Sequence, residues 1–191
     1  MGRPPRHDAD RLLDVAAGLA ATEGPGGVTM AAVARGAEAP SGSVYHRFPT
    51  HPALLAALWL RSVERFQAGF LDALTAPDPG DAARAAARHV VAWSRANPTD
   101  TTILLYGAHD FGADAWPDEE RDRLARANRG VARAVRALAG RLGDTTAQGV
   151  DLVRLATVDL PYSLVRRHRG RRLPRHAEDL VVHGVSALLD L

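Results

Sequence analysis

Three consecutive side chains with hydrogen-bonding heads, Tyr45, His46 and Arg47, close a short segment that opens on Ser41, Gly42 and Ser43. A phenol, an imidazole and a guanidinium can all donate to phosphate, and a guanidinium can also read a guanine edge. The small residues before them let a helix N-terminus, with its free amides and dipole, approach a polyanion closely. The chemistry implied is contact with nucleic acid. Charge alone does not demand it: the 24 basic residues are all arginine and the 22 acids leave a net charge of only +2. Geometry rather than a basic patch has to carry such a contact.

Several elements must hold those side chains outward. Val44 and Phe48 are four residues apart and point to one face, and Pro40 suits a first helical position. Before them, Ala37–Ala39 reads as a tight turn, and Met30 to about Gly36 as a short helix capped by Thr29, with Val33 and Ala34 inward. Two short helices joined by a tight turn, over about residues 29–48, make a helix-turn-helix, whose second helix enters the major groove. Upstream, Leu12, Leu13, Ala16, Leu19 and Ala20 form a helical stripe that "EGPGG" stops. Downstream, Thr50 and Pro52 start a long helix through Leu54, Leu58, Val63, Phe66 and Phe70 to about Leu74.

Further helices are expected over Ala82–Ala96, near Thr99–His109, and from Pro117 onward, where Asp118, Glu119 and Glu120 complement a first turn. The arginines at 121, 126, 129, 133 and 136 lie mostly off the apolar stripe of that helix, on a solvated face. No alternating strand pattern is found, so the fold expected is all-α, with about nine helices. Residues 146–168 and 175–190 are apolar on most sides, which predicts that one face meets a second copy of the chain in a four-helix bundle.

The stretch "VTMAAVARGAEAPSGSVYHRFPTHPALLAALW", preceded by "RLLDVAAGLAATEG", resembles the N-terminal DNA-binding domain of the TetR family of transcriptional repressors. The resemblance covers residue 9 to about residue 59. It implies a three-helix DNA-binding domain over residues 1–52 and a helical effector-binding and dimerisation domain over 53–191. In the family, the residues matching Thr29, Ser43, Tyr45, His46 and His51 approach DNA; Ser41, Gly42 and Arg47 join them on the outward face read above. Two departures stand out. Glu38 occupies a turn position where the family usually has glycine, at roughly 1 kcal/mol if its backbone is left-handed. His51 stands where lysine is common, which makes a phosphate contact there weaker and pH-dependent.

For an effector cavity the candidates are Phe66, Phe70, Trp93, Tyr106, His109 and Tyr162, with Trp59 and His89 as further aromatic or polar wall residues. Asp159 and Pro161 interrupt the most apolar helix: proline removes a hydrogen bond and should kink it, and a buried aspartate needs a neutralising proton or a partner, either an effector or an arginine. The arginine-rich run 166–176 reads as a solvated loop. With no cysteine, no apolar run long enough to span a membrane and no signal core, the chain reads as cytoplasmic. The eight histidines have no metal-ligand spacing, and neither nucleophile motif, paired carboxylates nor phosphate loop emerges, so neither metal, cofactor nor enzymatic activity is expected. The function implied is a dimeric repressor of a palindromic operator, released by a small molecule. The alternatives are a small helical enzyme carrying a helix-turn-helix and a ligand-free architectural DNA binder.

Overall fold

The computed structural model describes residues 5–191, and among these every regular element is helical. The helices are α1 (Pro5–Glu23), α2 (Met30–Gly36), α3 (Ser41–Arg47), α4 (His51–Ala73), α5 (Pro79–Ala96), α6 (Pro98–Leu104), α7 (Asp118–Arg141), α8 (Ala147–Arg154), α9 (Leu160–Arg167) and α10 (Ala177–Leu188). A π-turn, Leu155–Asp159, joins α8 to α9 without a break, so the ten runs form nine rods. None of the described helices is long and apolar enough to cross a membrane.

Local chemistry starts and stops most of them. The Thr29 hydroxyl accepts from Ala32 N–H at 3.1 Å and the Thr50 hydroxyl from Ala53 N–H at 3.2 Å, so both expected caps are made. Asp78 caps α5 by accepting from Asp81 N–H at 2.7 Å, which moves the start of that helix from the expected Ala82 back to Pro79. The helix expected to reach His109 ends at Leu104. Gly107 donates to the Asp110 carboxylate at 2.6 Å and Gly112 takes a left-handed φ of 69°, so 3-10 turns replace the last helical turn. The rod runs through Pro161 by way of the π-turn just before it, where Leu160 N–H reaches back five residues to the Leu155 carbonyl.

Two compact units emerge. The first comprises the chain up to Val63 with Thr99–Leu124, the second Glu64–Pro98 with Ala125–Leu191. In the first, Leu12, Ala16, Val33, Val44, Leu54 and Leu58 form one core with Phe111 and Trp116. Arg61 ties α4 to α1 by donating to the Asp14 carboxylate at 2.8 Å and the Leu13 carbonyl at 2.9 Å. In the second, the small face of α5, with Ala82, Ala83, Ala86 and Ala87 all buried, lets α10 pack closely through Val181 and Val185.

Candidate functional site

The helix-turn-helix is assembled from consecutive residues. α2 ends in a left-handed residue, Glu38 at φ 52°, with Ala39 N–H bonded to the Ala34 carbonyl at 3.0 Å and Glu38 N–H to the Arg35 carbonyl at 3.1 Å. This pattern closes a helix end and turns the chain sharply. α3 then buries Val44 completely and Phe48 nearly so. Their burial fixes the helix by one face and leaves Ser41, Gly42, Tyr45 and His46 exposed, while Ser43 and Arg47 lie half-buried on its flanks. Tyr45 is 54% exposed, unusual for a large aromatic side chain. Space around Gly42 is open.

Thr29 is exposed at the start of α2, and its capping role leaves the hydroxyl proton for a partner. His51 is differently engaged. Its Nε2 lies 2.6 Å from the Val28 carbonyl and must carry a proton to make that bond, so only Nδ1 remains. Nδ1 accepts in the neutral ring and donates to phosphate only when the ring is doubly protonated.

The residues named for an effector cavity do not gather in one place. Phe66 and Phe70 line a cleft of about 590 Å³ in the second unit, formed by α4, α7, α8 and the π-turn. Trp93 stands behind that wall, edge-on to Phe66 with ring centroids 5.3 Å apart. His89 is also behind it: its Nε2 is 3.0 Å from the Phe66 carbonyl, and burial holds its pKa below the ordinary imidazole value. Gly69 makes room for this ring, since a Cβ there would stand 2.4 Å from His89 Cε1.

The others lie elsewhere. Trp59 packs against Phe111 in the core of the first unit. Tyr106 in that unit also packs edge-on to Phe111, its hydroxyl 3.3 Å from where a Cβ on Gly24 would sit, and Gly24 has a φ of 78°. It supports the turn after α1. His109 is exposed, with Nδ1 3.3 Å from the Asp114 carboxylate. Asp159, expected to be buried, is exposed and lies 3.9 Å from Arg154. Tyr162 is exposed on α9. The reason is common to both: the rod α8–α9 is covered on one side only, where its own Val153, Ala156, Thr157, Pro161 and Val165 are buried.

Residues that sequence reasoning missed are those that complete the cleft. Val131 and Val135 on α7 and Val150 and Val158 beyond it face Phe66 and Phe70. Arg136, Asp151, Arg154, Gln67 and Asn128 also line it, and Gln67 donates to Asn128 at 3.2 Å. Among the described residues, no group of three or more His, Asp or Glu side chains is gathered as a metal ion would require.

Among the described residues the chain is wholly helical and presents a helix-turn-helix with an outward polar face, the arrangement of a DNA-binding module. Residues 12–58 match the family model for bacterial regulatory proteins, tetR family. Solved structures share the fold across nearly the whole chain. PfmR, a TetR family transcriptional regulator from Thermus thermophilus, is 20% identical, with a TM-score of 0.75 over 94% of each chain. The fatty acid degradation regulator FadR from Bacillus halodurans is 14% identical, with a TM-score of 0.72 over 94% of this chain and 97% of that one. FadR from Bacillus subtilis, solved in complex with stearoyl-CoA, is 13% identical, with a TM-score of 0.71 over the same shares. No curated protein matches the sequence. The match to that family model covers about a quarter of the chain, and over the rest the chain shares the fold of these solved structures.

Proposed function

We propose that the protein is a dimeric, ligand-responsive repressor, in which residues 1–52 bind a palindromic operator and residues 53–191 bind an effector and dimerise. The observation that carries the reading is the α3 surface: Tyr45 and His46 are exposed on a helix whose opposite face, Val44 and Phe48, is fixed in the core. Ser41, Gly42, Ser43 and Arg47 complete the DNA-facing set, with Thr29 and His51 at the starts of the flanking helices. Each subunit then reads one half-site, roughly 34 Å or a small multiple from the other.

The dimer reading is supported by large apolar side chains left exposed on the last rods: Leu152, Leu155, Tyr162 and Leu180. Exposed apolar residues grouped on neighbouring elements fit a symmetric interface. The ligand reading is supported by the cleft at Phe66 and Phe70, and by a structural relative solved with stearoyl-CoA bound. Helix α4 runs unbroken from His51, just after the recognition helix, to Phe66 and Phe70. An effector that favours one placement of this helix over another lowers DNA affinity by its differential binding to the two, typically about 1–3 kcal/mol.

Replacing Tyr45 and His46 together with alanine should weaken operator binding at least about tenfold, with melting temperature and dimerisation nearly unchanged. The test is a gel-shift titration at fixed salt, on duplexes selected by the protein from a random pool. Equal affinity in the double variant would remove α3 as the reading helix.

A further inference from the structure

The cleft of the second unit has two kinds of wall. Phe66, Phe70, Val131, Val135, Val150 and Val158 offer only carbon to whatever lies against them. Water gains nothing there, and an apolar chain or ring does. Arg136 and Arg154 also border it, and Asp151 is the acid among its lining residues. Two guanidiniums and one carboxylate leave one positive charge over. Arg154 has a second acid in Asp159 at 3.9 Å, but both side chains are more than half exposed, and such a pair holds a guanidinium weakly. Its remaining N–H donors stay available to a planar acceptor.

Resting on the reading of this chain as an effector-responsive regulator, we infer that the cleft takes an amphipathic monoanion, a single carboxylate on a long apolar body. The apolar body lies on the phenylalanines and valines, and the carboxylate is held by Arg136 and Arg154 in charge-assisted, fork-like hydrogen bonds. Among the lining residues themselves the surplus of one positive charge, which the exposed Asp159 beside Arg154 offsets only weakly, matches one carboxylate. A neutral alcohol of the same length leaves both guanidiniums to solvent and Asp151, and a cationic amphiphile meets two like charges for one opposite.

The test is calorimetric titration of the purified full-length chain with dodecanoate, dodecanol and dodecylammonium, each below its micelle concentration. Dodecanoate should bind at least about tenfold more tightly than dodecanol, and dodecylammonium most weakly. In the Arg136→Gln, Arg154→Gln double variant the acid should lose this advantage, while dodecanol affinity stays within about twofold. Both arginines are exposed, so the variant should keep its melting temperature, which is checked in parallel. A Val150→Trp change, which fills the cleft, should abolish binding of acid and alcohol alike.

Equal binding of acid and alcohol, a preference for dodecylammonium, or an acid preference that survives the double variant overturns the inference. Gel shifts on the selected operator separate this from the regulator reading. If another class of molecule releases DNA while dodecanoate does not bind, the regulator reading stands and the monoanion assignment falls. If dodecanoate binds through the arginines yet leaves operator affinity unchanged, the site stands and its role as the switch falls.

Discussion

The helix-turn-helix draws its residues from one stretch, 29–48, whereas the cleft draws on positions from Phe66 to Val158. In the first, cap, turn, buried pair and outward face follow one another within a few turns of chain, so short-range rules decide where each side chain goes. In the second, pairs such as Phe66 and Phe70, or Val131 and Val135, share a helix face, but what that face meets depends on how α4, α7 and α8 pack. On the function proposed above, the motif acts through outward side chains that fold stability does not need. In the second unit, neighbouring apolar residues have unlike duties, as Leu180 at 53% exposed and Val181 at 2% illustrate.

That last contrast gives the largest expected effect. Val181 lies in the α5–α10 core, so Val181→Arg buries an unpaired guanidinium and should cost roughly 4 kcal/mol or more, most of the stability of an ordinary domain. Insoluble or unfolded protein is expected, as judged by circular dichroism. Leu155→Arg with Leu180→Arg instead charges the exposed face. If the native chain is the dimer proposed above, this variant should be a helical monomer by light scattering. A soluble, native-like Val181→Arg protein, or an intact dimer after the double change, would erase the distinction between the two faces.

A smaller effect is expected from pH. Burial holds the folded-state pKa of His89 below its ordinary value of 6.5, so the unfolded chain takes up this proton first as pH falls. The destabilisation is absent well above that value and grows on acidification through it, until the folded ring also protonates. His89→Gln keeps an N–H for the Phe66 carbonyl and cannot titrate. The loss of melting temperature between about pH 7.5 and about pH 5.5 should be smaller in the variant than in the native chain. An unchanged difference would mean that the ring behind the cleft wall is open to water, and that this region is less packed than the motif.

The motif is legible in the sequence because it is local. Thr29 and Thr50 cap where hydroxyl residues precede helical patterns, Val44 and Phe48 turn inward by their spacing, and Glu38 takes the left-handed position that its place in the turn implies. Helical periodicity says which residues share a face and is silent about what covers it. Val181 and Val185 fall in the stretch that periodicity assigns to the interface, because nothing in their own helix reveals the alanine face of α5 waiting for them. Asp159 reads as buried because its neighbours are apolar, yet it falls on the uncovered side of its rod. Side-chain type groups Tyr106 with Trp93, and it serves the turn at Gly24. Arg136, which the helical pattern puts on the solvated face of α7, borders the cleft because α8 and the π-turn bring Asp151, Arg154 and Val158 to the same opening.

The smallest expected effect tests whether the motif has traded stability for anything beyond its turn. Glu38 holds a φ of 52°, a conformation in which a side chain costs roughly 1 kcal/mol relative to glycine. Its carboxylate stands 4.0 Å from Arg11, with both side chains well exposed, and such pairs contribute little. Glu38→Gly removes the strain and keeps the Ala39 and Glu38 backbone bonds that close α2, but it also frees the unfolded chain, which offsets part of the gain. The net should be a stabilisation of about 0.5–1 kcal/mol, a rise of a few degrees in melting temperature, with operator affinity within about twofold. A lower melting temperature would show that the Arg11 contact outweighs the strain and that α1 helps to set the turn. Unchanged stability with weaker DNA binding would show that Glu38 restrains the angle at which α3 is presented, and a position read as backbone geometry would belong to the recognition surface.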